Sequence, residues 1–277
     1  MTIAISLKVN DGVVLAADSA ATIFTNPGNN QPVGVINVYQ SAEKVFNLCK
    51  GKPLGSITWG SGSIGQASIS TLMKDFRKEK QAILSKEDFR VEEISIELAK
   101  FVYEDNYNPA YKSWPKKSRP RIGFMVSGYS GEDSFAEEWK FDISNGELFG
   151  PNKIRGKEQS GVTWNGEPEA LHRLILGRSN HLVSVLQDCG VDEILIKEIL
   201  DKAQEKLTVP FVIAPMPIKD AIDLAEFFVQ TTIDFSKFSP GAPTVGGPID
   251  IAAITKHEGF KWISRKHYYN IDVNPIQ

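Results

Sequence analysis

The sequence predicts an α+β fold of two sheets with a helical layer on each outer face. Three observations predict it. The chain opens on a hairpin: Ile3, Ile5, Leu7 and Val9 alternate with Ala4, Ser6 and Lys8, and Asn10-Asp11-Gly12 turns that strand into a continuously apolar run over 13–17. Two stretches of helical period follow. Strands then return, and the chain closes on a second hairpin.

In order, strands are predicted at 2–9, 13–18, 41–48 and 53–59. Residues 24–39, rich in Asn, Pro and Gly, read as a loop with a short ribbon at 33–38. The spacing of Ile69, Leu72, Met73 and Phe76 predicts a helix over 63–80; Val91, Ile94, Leu98, Phe101 and Val102 form the stripe of a second over 91–103. The aromatic, basic and proline-containing stretch 107–120 reads as an ordered connector rather than a docking loop. Strands return at 122–127, 135–141 and 161–164, and helices follow at 168–176, 181–187, 191–203 and 219–232. The last hairpin pairs 249–256 with 260–264 around His257-Glu258-Gly259. No repeat or boundary divides the chain, so residues 1–277 are read as a single domain.

Composition narrows the function classes. With 277 residues, 42% hydrophobic and 23% charged, the chain has ample core and no signature of disorder. A net charge of -3 leaves no general footprint for nucleic acid. Cys49 and Cys189 make no disulfide framework, and Cys49, near Phe46 and Leu48, reads as a buried thiol. His172, His181, His257 and His267 have no metal-site spacing, and neither metal nor cofactor is predicted. The chain shows no signal peptide and no bilayer-spanning run, which points to a cytoplasmic protein.

Chemistry concentrates at Thr2. Once Met1 is removed, Thr2 carries a hydroxyl and a free α-amine, nucleophile and base in one residue. An antiparallel return from the Asp11-Gly12 turn brings Asp18 back to its neighbourhood. An acid after five apolar residues is a strand-end cap in solvent or a buried partner for a cation, and both readings stand on this segment alone.

Several segments together resemble a known family. Thr2, the Asp-Gly turn and Val14-Leu15-Ala16-Ala17-Asp18-Ser19-Ala20-Ala21-Thr22 resemble the start of a proteasome β-type subunit, an N-terminal nucleophile hydrolase. Ser41-Ala42-Glu43-Lys44-Val45-Phe46 is similar to that family's strand with the catalytic lysine, and Gly55-Ser56-Ile57-Thr58-Trp59-Gly60-Ser61-Gly62 to the strand and glycine loop opening its first helix. Thr244-Val245-Gly246-Gly247-Pro248-Ile249-Asp250 resembles the bacterial proteasome-related homologues. The resemblance implies a four-layer αββα sandwich and a threonine-type amidohydrolase, a peptidase, assembled as a homo-oligomeric ring or spiral. Thr2 would be the nucleophile, Lys44 the cation that favours the neutral amine, and Asp18 its orienting partner. The Gly60 N–H would stabilise the oxyanion, and the edges around Thr22 and Gly60-Ser61-Gly62 would hold an extended peptide.

Each piece also has a bland reading. Thr after an initiator Met is common, and Lys44 beside Glu43 fits a solvated strand end. Trp59-Gly60-Ser61-Gly62 fits any strand-to-helix turn, a phosphate loop excepted, since the lysine of a P-loop is missing. Two departures stand out. The family's supporting serine is replaced by Trp164-Asn165-Gly166-Glu167-Pro168, where Asn165 is the hydrogen-bonding candidate. Pro243-Thr244-Val245 precedes the glycine pair, leaving Thr244, Asp234 and Asp250 as unassigned hydroxyl and carboxylates. A non-catalytic assembly subunit and an acyl-transfer enzyme using the same nucleophile are the alternatives. Retention of Met1 would make the Thr2 nitrogen an amide and block catalysis by this route.

Overall fold

The computed structural model describes residues 2–24, 34–131 and 133–270. The opening hairpin, β1 (Ile3–Val9) and β2 (Gly12–Ala17), is antiparallel with Ala4 opposite Ala17 and Val9 opposite Gly12. Gly12 is compelled there, because a Cβ would lie 2.5 Å from the Ile254 carbonyl oxygen of the neighbouring strand. A short ribbon follows, β3 (Ala21–Phe24) with β4 (Val35–Tyr39). Residues 25–33 of the loop between them lie outside the described residues, as does Met1. Next come β5 (Val45–Asn47) and β6 (Leu54–Gly60).

The helix expected from residue 63 begins later. A tight ribbon, β7 (Ser63–Ile64) and β8 (Ala67–Ser68), turns through Gly65 at φ +57°, and α1 (Ile69–Glu79) starts only after Ser68, whose hydroxyl caps the Thr71 N–H at 3.1 Å. α2 (Gln81–Leu84) and α3 (Val91–Lys100) follow. The second helix does not stop near residue 103: a π-helical stretch, Phe101–Tyr107, carries it into α4 (Asn108–Tyr111). Tyr103, Tyr107, Tyr111 and Trp114 stack along this extension, with ring centres 6.0, 5.0 and 5.2 Å apart. Aromatic packing thus outlasts the helical hydrophobic stripe that the sequence displays.

β9 (Ile122–Gly128) and β10 (Glu137–Ser144) come next, then β11 (Glu147–Lys153), a strand the sequence reading lacks. Its run, Glu-Leu-Phe-Gly-Pro-Asn-Lys, is half exposed at a sheet edge and holds both Gly and Pro, so neither alternation nor propensity marks it. The turn before it was legible: Asn145 and Gly146 adopt φ 51° and 74°, the pair of positive values a tight hairpin needs. The chain completes with β12 (Gly161–Gly166), α5 (Glu169–Leu176), α6 (Leu182–Asp188), α7 (Glu193–Leu207), α8 (Ile218–Phe238), β13 (Asp250–Thr255) and β14 (Gly259–Ser264).

This is a mixed α+β fold with antiparallel sheets. One sheet runs β12-β1-β2-β13-β14, the other β11-β10-β9-β6-β5. Three apolar clusters bury their faces. Leu72, Phe76, Ile94 and Leu98 of α1 and α3 pack on Leu54, Phe124 and Phe141 of the second sheet. Leu171 of α5 with Phe228 and Val229 of α8 packs on Ile3, Ile5 and Leu7 of the first. Ala4, Val13 and Leu15 meet Val45, Ile57 and Met125 in the third. Alternation along β1 therefore sends Ile3, Ile5 and Leu7 toward helices. It sends Thr2, Ala4, Ser6 and Lys8 the other way, toward the second sheet. No helix of the described residues is long and apolar enough to cross a membrane.

Candidate functional site

Asp18 is fully buried just past the end of β2 and gathers four donors. Its Oδ1 accepts the Ile3 N–H at 3.0 Å and the Lys44 Nζ at 2.6 Å; its Oδ2 accepts the N–H groups of Ala20 and Gly246, each at 3.1 Å. Asp18 is thus a buried partner for a cation and not a solvent cap. The β1–β2 register requires this: the Asp18 N–H donates to the Ile3 carbonyl at 3.3 Å, one step beyond the Ala4–Ala17 pair. The carboxylate that holds Lys44 therefore also holds the peptide N–H joining Thr2 to Ile3.

Lys44 precedes β5 and is 6% exposed. Burial holds its ammonium below the usual lysine value, and the Asp18 carboxylate opposes that shift. A second buried pair acts on it. Asp250, opposite Ala17 on β13, accepts the Lys266 N–H at 3.0 Å and pairs with the Lys266 ammonium. Lys266 pushes Lys44 further down and Asp250 pushes it up. Sequence reasoning missed Lys266. It lies 16 residues from its partner, and only the β13–β14 hairpin joins them.

Thr2 is buried, and its carbonyl accepts the Glu167 N–H at 2.7 Å. Gly166 makes this possible: it adopts φ +98°, and a Cβ there would sit 1.8 Å from the Thr2 oxygen. Lys44 is tied to β6, since the Thr58 N–H donates to the Lys44 carbonyl at 2.9 Å. Alternation turns the Gly60 N–H, two residues on, to the same strand edge. The glycine itself has a reason unrelated to substrate: φ is +90°, and a Cβ would lie 2.4 Å from the Arg121 oxygen.

The other candidates scatter around this centre. The Ser61 N–H donates to the Arg121 carbonyl at 2.8 Å and its hydroxyl to the Ser63 carbonyl at 2.8 Å, so both help fold the loop. Gly62 faces open space, and its carbonyl accepts the Ile69 N–H at 3.0 Å. Thr22 stands opposite Val38 in the β3–β4 ribbon, and its hydroxyl reaches the Thr244 carbonyl at 3.4 Å. Asp234 is elsewhere, in a surface hollow of α8 with Thr231, Phe235 and Phe238.

The second sheet carries a polar wall that meets β12 at Asn165, and no local pattern in the sequence marks most of it. The Trp59 indole N–H donates to Asp142 at 3.2 Å, and the Lys140 ammonium lies 5.1 Å from the Trp59 ring centre. Lys140 also sits 3.3 Å from Asp142 and donates to the Asn165 Oδ1 at 2.7 Å. These residues are 83, 2 and 25 positions apart, so no local pattern announces them. Among the described residues no group of three or more His, Cys, Asp and Glu is placed to hold a metal ion. Cys49 is half-buried against the Leu84 carbonyl, and burial raises its thiol pKa.

The comparisons with known proteins correct the family resemblance. No protein-family model matches the chain, and no curated protein matches it. Solved structures do. A mutant Anbu from Hyphomicrobium sp. strain MC1 has a TM-score of 0.51 at 16% identity, covering 97% of this chain and 90% of its own. Anbu from the same organism in another structure has 0.51 at 14%, covering 96% and 89%. Anbu from Yersinia bercovieri, described as an ancestral beta-subunit, has 0.49 at 12%, covering 96% and 89%. Anbu proteins are proteasome-related but a family distinct from the proteasome β-type subunits that the opening segments resemble. At these identities the likeness shows the fold alone, proteasome-like in kind. The short motifs misled because strand–turn–strand and strand–glycine–helix segments repeat wherever this fold does.

Proposed function

We propose that the chain is a threonine-type amidohydrolase acting on peptides, with Thr2 as nucleophile once the residue ahead of it is removed. One observation carries the reading: a buried carboxylate, Asp18, holds Lys44 and the Thr2–Ile3 peptide link on the same oxygen, at 2.6 and 3.0 Å. Thr2 Oγ attacks the substrate carbonyl while its proton passes to the α-amine, directly or through one water. The amine's reference pKa, about 7.7–8.0, suits that task, and the Lys44 charge favours its neutral form. The Gly60 N–H is the donor for the developing oxyanion. Collapse expels the leaving amine with the proton, leaving an ester on Thr2 that water cleaves.

The rest of the reading is structural. The three apolar clusters support a four-layer αββα sandwich, and the pairing of β13 with β2 and of β12 with β1 supports a single domain. A cytoplasmic ring or spiral of like copies completes it, and such assembly would cover apolar side chains as exposed as Ile194 and Phe238, 84% and 79%. Transfer of the acyl group to an amine instead of water uses the same machinery and would show as amine-bearing products.

The test is the intact mass of the protein from its native host, before and after an epoxyketone or β-lactone probe. Loss of Met1 with one adduct, abolished by Thr2→Ala, is the expected result. Retained Met1 with no adduct removes the catalytic reading and leaves a non-catalytic assembly subunit.

A further inference from the structure

Asn165 has a donor with nothing to do. The residue is 8% exposed, and its Nδ2 has no hydrogen-bond partner among the described residues. Its orientation is fixed. Lysine carries donors only, so the amide oxygen must face Lys140, 2.7 Å away, and the NH2 group must point elsewhere. Lys140 is itself pinned by Asp142 and by the Trp59 ring. A buried N–H left unpaired is costly, and few are kept in native proteins without a reason.

Its position suggests the reason. Along β12, Val162 and Trp164 pack with the helices on the outer face, while Thr163 and Asn165 bond to Arg155 and Lys140 on the inner face. Asn165 stands opposite Ala4, whose side chain lies in the cluster between the sheets. Thr2, just ahead of β1, is the next residue on that face, a diagonal neighbour at about 7–8 Å between backbones. Trp59, which touches Lys140, leads directly into Gly60.

We propose that the Asn165 Nδ2 donates a hydrogen bond to a carbonyl oxygen of the peptide held at Thr2, with Lys140 as the positioning residue that aims it. The proposal rests on the Thr2 reading above. It makes the ligand class a chain of amides, since a single donor between packed sheets matches a carbonyl and not an anion needing several.

Asn165→Asp separates this role from a structural one. The carboxylate keeps the shape and gains an ion pair with Lys140, so the fold is retained, but the donor is gone. In protein with Met1 removed, the rate of Thr2 labelling by an epoxyketone should fall about 10–100-fold with an unchanged melting temperature. Lys140→Met, which frees the amide to turn, should slow labelling severalfold. Wild-type labelling rates in Asn165→Asp overturn the proposal alone. Should that variant misfold, wild-type rates in Lys140→Met overturn it instead. No labelling of the wild type overturns the Thr2 reading and the proposal with it.

Discussion

Two buried lysines face the space between the sheets, and their surroundings differ. Lys8, 1% exposed, gives hydrogen bonds to the Gly156 and Lys157 carbonyls at 2.9 and 2.8 Å. Its charged neighbours are paired too: Ser6 donates to Glu138 at 2.6 Å, Arg155 pairs with Glu138, and Arg155 donates to Thr163 at 2.6 Å, although the Ser127 hydroxyl opposite Glu138 has no partner among the described residues. Among the described residues the Lys44 ammonium has one hydrogen-bond partner, a single oxygen of Asp18. A second cation, Lys266, acts on it, and the Asn165 donor on the inner face of β12 is unpaired among the described residues. Burial depresses both lysines, so depth does not distinguish them. Saturation does. A polar cluster whose charged groups each have several partners holds the sheets together; one that keeps a cation on a single oxygen is equipped to meet something else.

Breaking the saturated end should cost stability and nothing more. Glu138→Gln leaves the Arg155 cation buried without its counter-charge, and a loss of about 3–5 kcal/mol is expected in urea unfolding, with Thr2 labelling unchanged. Breaking the unsaturated end should cost labelling as well as stability, since removing Lys44 leaves the Asp18 carboxylate buried without its cation. Lys44→Met should slow Thr2 labelling about 100-fold or more, because the α-amine loses the charge that keeps it neutral. Equal loss of labelling in both variants would erase the distinction.

A third change sharpens it by pH. Tyr129 is buried beside the Asp11 turn, at the Lys8 end, and burial pushes its hydroxyl up to about 12. An unfolded tyrosine ionises near pH 10, so Tyr129 stabilises fully below that and loses its contribution as pH rises from about 10 to 12. Tyr129→Phe should flatten this fall, worth roughly 2 kcal/mol at pH 12, in unfolding curves measured across that range. The smallest effect is expected from Lys266→Met. Without that cation the Lys44 pKa moves up, so the alkaline limb of the Thr2 labelling profile should shift to higher pH.

Legibility in the sequence followed the same divide. The β1–β2 hairpin was readable because its signal is local: period-2 apolar residues and an Asp-Gly turn. The meeting of Asp18 with Ile3 follows from that register alone. Lys44, Lys266, Lys140 and Asn165 come from four different segments. The resemblance names Lys44 for Asp18, but nothing local shows that Lys266 meets Asp250 or that Lys140 meets Asn165, because long-range packing and not local pattern brings these partners together. Gly60 stands out in the sequence as the oxyanion donor that the resemblance implies. The structure requires it for φ +90° and the close Arg121 oxygen, a reminder that a conspicuous residue can have a sufficient reason in the backbone.

The clasp on Thr2 has a temporal meaning. Both anchors, the Glu167 N–H on its carbonyl and the Asp18 oxygen on the Ile3 N–H, lie downstream of its nitrogen. Cutting the bond ahead of Thr2 would disturb neither. On the proposed Thr2 reading, the newborn chain would already hold Thr2 in working position, and maturation would be a subtraction: one amide exchanged for an amine, with no part of the scaffold obliged to move.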